Sequence, residues 1–205
     1  MIPDMDREGK NAAPGRLKLG VSACLLGEKV RYDGGHKLNH YLTKMLGPFV
    51  DWVPVCPETE IGLGIPREAM RLAGTAESPR LITRETHVDH TNRMRKWAAG
   101  RIRGLAGEEL CGFIFKSRSP SCGTRRVPVV KEHGKTGCCG AGIWARAFMD
   151  ANPLLPVEDE DRLRDAGIRE NFIKSILVYH HWRQLLADKP AAGRPADSHS
   201  GHTNT

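Results

Sequence analysis

Between Leu17 and Leu186, apolar runs of strand length alternate with stretches whose apolar residues recur at helical spacing. That alternation restricts the chain to an α/β domain, because strand–helix–strand order closes most simply as a parallel sheet covered by helices. Leu17–Ala23 (LKLGVSA), Asp51–Val55 (DWVPV) and Leu110–Phe115 (LCGFIF) read as strands. Pro54 has no N–H to give a ladder, so the second strand is expected at a sheet edge or near its own end. Ala69–Ala73 and Pro79–Thr83 read as a hairpin. Met94, Ala98, Ile102 and Leu105 make the apolar stripe of one helix, with Thr91 or Asn92 as its cap. His36–Leu46, Gly140–Met149 and a segment through Ile168, Phe172, Ile176 and Tyr179 to about Leu186 read as further helices. The expectation is a mostly parallel sheet with helices on both faces.

Residues 1–16 and 189–205 are polar and rich in Gly and Pro, and read as a disordered arm and tail around one domain, 17–188. His199 and His202 belong to that tail and read as solvated. No apolar run approaches the roughly 20 residues needed to cross a bilayer. The N-terminus lacks the apolar stretch of a secretory signal, so a cytoplasmic protein with reduced thiols is expected. The net charge of +7, from 31 Lys and Arg against 24 Asp and Glu, fits an anionic partner such as a nucleotide or RNA. Scattered as the basic residues are, it fits ordinary solubility equally well.

Six cysteines are present, none in a CxxC pair, which leaves zinc-ribbon and thioredoxin-like readings without support. Cys24 and Cys56 directly follow the first two strands, and Cys122 lies shortly beyond Phe115. Open parallel sheets bind ligands outside the carboxyl ends of their strands, so these three thiols can meet in one crevice. Gly27, Pro57 and Gly123 shape the loops that follow them. Spacing alone leaves several readings open. They are an iron–sulfur cluster with one iron free, zinc with three ligands and a water, buried structural thiols, and a nucleophilic or redox cysteine.

The blocks VSACLLGEKVRYDGG, PVCPETEIGLGIPRE and FKSRSPSCG resemble, in the same order, the signature blocks of the DUF523 family. That family includes the thiouracil desulfidases, and a similar domain occurs in tRNA 2-thiouridine desulfidases. The likeness runs from about Lys18 to about Met149. It implies a [4Fe–4S] cluster held by Cys24, Cys56 and Cys122, and non-redox removal of sulfur from a thiolated uracil. Glu58 and Ser117 match its catalytic acidic and hydroxyl groups, and Asp33, Asp89, Thr91 and Ser121 are further substrate candidates. The segment NPLLPVEDEDRLRDAGIRENFIKSILVYHHWRQL resembles the extension of the tRNA-acting branch, in which a further domain normally follows. Here a short polar tail follows instead, so free thiouracil, thiouridine, its nucleotide and thiolated tRNA all stay open as substrates.

Glu58 stands two residues after a candidate ligand and is the expected general base; as a first-turn carboxylate it would instead stabilise a helix. Ser117, Ser119 and Ser121 could equally satisfy loop amides, and Asp33 is a good turn residue. Arg67 is expected to meet an anionic substrate or Glu68; Lys116 and Arg118, a phosphate or solvent. Cys111 reads as core. Cys138 and Cys139 (KTGCCGAG) are expected at a helix entry, where their glycines permit a close backbone approach below the crevice. The alternatives to an enzyme are a cluster-carrying electron-transfer or binding protein, which would call for a fourth cysteine ligand, and a basic RNA-binding protein with structural thiols.

Overall fold

The structure is a computed structural model that describes residues 16–131 and 136–187. Almost all of the expected arm and tail, with His199 and His202, lies outside these residues. In chain order the elements are β1 (Leu17–Ser22), β2 (Val50–Val55), the short α1 (Pro57–Glu60), β3 (Met70–Gly74), β4 (Pro79–Thr83) and α2 (Thr91–Leu105). They continue with β5 (Gly112–Phe115), β6 (Val127–Val130), β7 (Thr136–Gly140), α3 (Ile143–Ala151), β8 (Val157–Asp159) and α4 (Ala166–Ala187).

The four strands β2–β1–β5–β8 form a wholly parallel sheet in that order. Parallel strands covered on both faces carry apolar residues almost continuously, which explains the unbroken GFIF of β5. One face packs Val55, Phe113 and Phe115 against Met94 and Ala98 of α2 and Trp144 and Phe148 of α3. The other packs Leu19, Val21 and Ile114 against Leu42, Leu163 and Phe172 and Ile176 of α4. Helices therefore cover both faces, as the sequence implied. Gly20 admits the Phe113 ring beside it: a Cβ there would stand 2.1 Å from that ring. Pro54 lies on an edge strand, where its missing N–H costs no ladder bond.

A second sheet of four strands, β4–β3–β6–β7, joins the first core through Leu72, Leu81, Val127 and Val129. β3 and β4 form the expected antiparallel hairpin, and β3 pairs parallel with β6. Strands β6, β7 and β8 had no counterpart in the sequence reading. β6 carries Pro128, which sits at a register irregularity and hides the strand pattern.

Three local expectations need correction. Only Tyr41–Leu46 of the segment 36–46 is helical, as a single π-helical stretch. The residue before α2 is His90, with no side-chain cap; Asp89 instead accepts from the Thr91 N–H (2.8 Å). Cys138 and Cys139 lie on β7, not at a helix entry, and α3 begins at Ile143. Among the described residues no helix is long and apolar enough to cross a membrane.

Candidate active site

Strand order decides what the carboxyl end of the parallel sheet presents. β2, β1 and β5 are consecutive neighbours, at the usual separation of about 4.8 Å between strands. Cys24 sits in the 3-10 turn directly after β1, and Cys56 immediately precedes α1 after β2. Cys122 stands in the loop beyond β5. All three line one cavity of about 300 Å³. Cys24 and Cys122 are buried and Cys56 is partly exposed.

The thiols act on one another electrostatically. Burial pushes the Cys24 thiol up to about 11, with the Cys56 charge adding to the rise and Lys116 opposing it. Burial first, then charge on Cys56 and Glu58, pushes Cys122 well above the ordinary thiol range. Metal binding would therefore displace protons from both. No three His, Cys, Asp or Glu side chains among the described residues close on one point that could hold a single ion. The three thiols line one cavity, and cysteine thiolates are the ligands that an iron–sulfur cluster takes. Arg31, Lys37, Arg84, Lys116 and Arg118 also line the cavity, and their charge suits an anionic cluster or substrate. The donor set and its surroundings fit an iron–sulfur cluster.

Glu58 lines the same cavity from the first turn of α1. Its Oε2 accepts from Arg67 Nε (3.0 Å) and Nη2 (2.6 Å), and its Oε1 accepts from Ser121 Oγ (2.9 Å). Both members of the ion pair are largely buried, with side chains 8% and 15% exposed for Arg67 and Glu58. A carboxylate offers about four acceptor positions; three are taken, so one remains on Oε1. Arg67 also donates to Val30 O (2.8 Å), and its partner is Glu58 rather than Glu68. Glu68 accepts from Thr86 Oγ1 (2.6 Å) instead.

Ser117 lines the cavity too, but its Oγ donates to Glu160 Oε1 (3.0 Å) and receives Lys116 Nζ (3.1 Å). Ser119 Oγ accepts from the N–H groups of Ser121 (3.2 Å) and Cys122 (3.1 Å), which satisfies the loop beneath the third thiol. Gly142 provides the expected close approach: a Cβ would lie 2.5 Å from the Ser121 carbonyl. The first N–H groups of α3, at Ile143, Trp144 and Ala145, donate to Pro120 O and Ser121 O. The helix entry thus braces the Cys122 loop.

Asp33 and Asp89 are not brought to the cavity wall. Asp33 accepts from Gly35 N–H (3.0 Å) and makes the turn behind Arg31 and Tyr32; that bond, with Arg31, holds its carboxyl below the usual range. Asp89 serves α2, and Thr91 Oγ1 accepts from Leu81 N–H (2.8 Å). Cys111 is core at the amino end of β5, with its sulfur 3.3 Å from His180 Nδ1. Cys139 borders a separate hollow with Arg125 and Arg146.

Sequence reasoning missed Ser22 and Glu160. Ser22 Oγ accepts from the Lys116 N–H (2.9 Å) and ties the β1 end to the β5 end. Nothing local marks Glu160, because its partners lie 43 and 44 residues away.

Asp159 yields a pH test. It is 2% exposed, and its Oδ1 accepts from the Thr124 N–H (3.0 Å). Burial pushes its carboxyl up to about 6. An unfolded Asp titrates near 3.9, so between about pH 4 and 6 the native state holds the extra proton. Stability should therefore fall by about 2–3 kcal/mol as pH rises through that window, and stay reduced above it. Asp159→Asn keeps an acceptor for Thr124 and should flatten the slope, as denaturant unfolding at pH 4.5 and 7 would measure. An unchanged slope would assign it to other groups.

The family described as 2-thiouracil desulfurase matches residues 19–160, well over half of the chain. The uncharacterized protein YbbK of Bacillus subtilis (strain 168) is 29% identical over 146 residues, covering 68% of this chain and 95% of YbbK. Among solved structures, the [4Fe-4S]-dependent thiouracil desulfidase TudS matches with a TM-score of 0.58 and 28% identity, over 76% of this chain and 99% of TudS.

Proposed function

Since the chain belongs to the 2-thiouracil desulfurase family, we propose that it hydrolyses the carbon–sulfur bond of a thiolated uracil, using a [4Fe–4S] cluster held by Cys24, Cys56 and Cys122. The observation that carries this reading is the adjacency of the strands β2, β1 and β5, whose ends bring three thiols to one cavity. The cofactor dependence of TudS supports the same reading.

When bound, the cluster supplies a soft Lewis acid for the substrate's sulfur and draws electrons from the ring carbon. The protein's own residues do the rest. Glu58 accepts a proton from water through the free position on Oε1, while Arg67 and Ser121 hold the carboxylate in one orientation. The water oxygen ends on the ring carbon, sulfur leaves as hydrosulfide, and no electron is exchanged. Arg31, Lys37, Arg84 and Arg118 attract an anionic substrate or a departing anion. Ser117 gives its hydroxyl proton to Glu160 and keeps one lone pair, with which it accepts from the ring N–H or the water, and Ser121 reaches the substrate only through Glu58. The substrate is a thiolated base, nucleoside or nucleotide, or thiolated tRNA. A reducing, cytoplasmic setting suits the three free thiols.

The electron-transfer alternative needs a fourth protein ligand on the cluster, and among the described residues neither Cys111 nor Cys139 lines the cavity. The test is anaerobic reconstitution followed by sulfide measurement with thiouracil, thiouridine, its monophosphate and thiolated tRNA. Hydrosulfide and the oxygen analogue should appear in equal amounts without added reductant. A loaded protein that releases no sulfide from any of the four overturns the reading.

A further inference from the structure

The residues beyond β8 face those beyond β5 because the two strands pair in parallel, with Phe115 opposite Asp159. Lys116 and Glu160 are consequently the first residues past the sheet on adjacent strands. The Glu160 carboxylate accepts from Lys116 Nζ at 2.5 Å and from the Ser117 N–H at 2.5 Å, and the Ser117 hydroxyl donates to it as well. The ion pair is sheltered, with side chains 16% and 11% exposed. One residue earlier, Asp159 accepts from the Thr124 N–H. A single acidic run on the edge strand thus grips the third-cysteine loop at both ends, on either side of Cys122. Between the grips Arg118 holds a left-handed backbone, φ 57°, which a non-glycine residue adopts only where its surroundings enforce it.

We propose that Glu160 is a positioning residue of the desulfidase site: through Lys116 and Ser117 it fixes the loop that presents Cys122, and it holds the Lys116 ammonium at the cavity wall near Cys24. The inference rests on the desulfidase reading. Glu160 does not line the cavity, and the strand it follows, β8, carries no cysteine. Two observations separate it from a surface ion pair. The pair is largely buried, where loss of one partner leaves an uncompensated charge. The same carboxylate also takes the Ser117 amide, which Lys116 alone cannot hold.

The test compares Glu160→Gln, Lys116→Met and their double variant with the parent, all reconstituted anaerobically. Glu160→Gln keeps the shape and one acceptor oxygen, so it should fold and take up iron as the parent does. Its cluster should be stripped by a chelator several-fold faster, because the loop bearing one ligand is less constrained. Its kcat should fall about 10- to 100-fold with KM little changed, as expected for misplaced groups rather than weaker binding. The double variant should lose little beyond Lys116→Met alone, since both changes break one network. Parent-like cluster lifetime and kcat in Glu160→Gln would overturn the inference while leaving the desulfidase reading standing. So would strictly additive losses, or a loss that follows the melting temperature alone. A parent that takes up no iron overturns both.

Discussion

A Cys56→Ser chain is expected to fold as the parent does and yet to bind essentially no iron–sulfur cluster, with desulfuration lost entirely. Cys56 is the cleanest of the three thiols to replace. It is partly exposed, and its sulfur has only a weak contact, 3.8 Å to Val30 O. Cys24 and Cys122 are packed in the interior at 8% and 6% exposure, where a hydroxyl would also disturb the core. The parent should carry about four iron and four inorganic sulfide per chain after reconstitution. The variant should show neither the iron nor the brown absorbance, with an unchanged far-ultraviolet spectrum. Retention of a full cluster by Cys56→Ser would remove Cys56 from the ligand set and break the proposed site.

The second large effect concerns Glu58. Glu58→Ala should keep the cluster and lose turnover by about 10²- to 10⁴-fold, the range typical for removing a general base. The substitution also strips Arg67 of its partner in a largely buried place, at a cost of about 3–5 kcal/mol. Glu58→Gln controls for this, because its amide oxygen can still accept from Arg67 or Ser121. A similar loss of kcat with a smaller drop in stability is expected, measured by sulfide release beside thermal unfolding. Normal turnover in Glu58→Gln would show that the proton goes elsewhere.

What could be read early was what short range controls. The apolar runs around β1, β2 and β5 and the stripe of α2 announce themselves by period and length. The hairpin β3–β4 is legible because its partners are close in sequence. The three cysteines were legible as strand-end residues, and the family blocks gave them a shared purpose. β6 was hidden by Pro128, and β8 is only three residues long, too short for a period to show. The glycine-rich surroundings of Cys138 and Cys139 point to a helix entry, yet pairing of Cys139 with Pro128 across two strands wins over that local cue. Arg67 is legible without its partner Glu58, which stands nine positions earlier in the chain, across the end of α1 and a loop.

By itself, then, the sequence determined the α/β class, the strand-end position of each candidate ligand and the carboxylate two residues beyond Cys56. Only the tertiary structure decided that β2, β1 and β5 stand side by side, that Arg67 and Ser121 hold Glu58, and that Glu160 reaches Lys116 and Ser117. The physical reason is the range of the forces involved. Period and propensity act over a few residues, whereas a parallel ladder is made between strands separated by long crossovers. Which strands become neighbours follows from burying both faces of the sheet at once, and that condition is satisfied by the whole chain rather than by any segment of it.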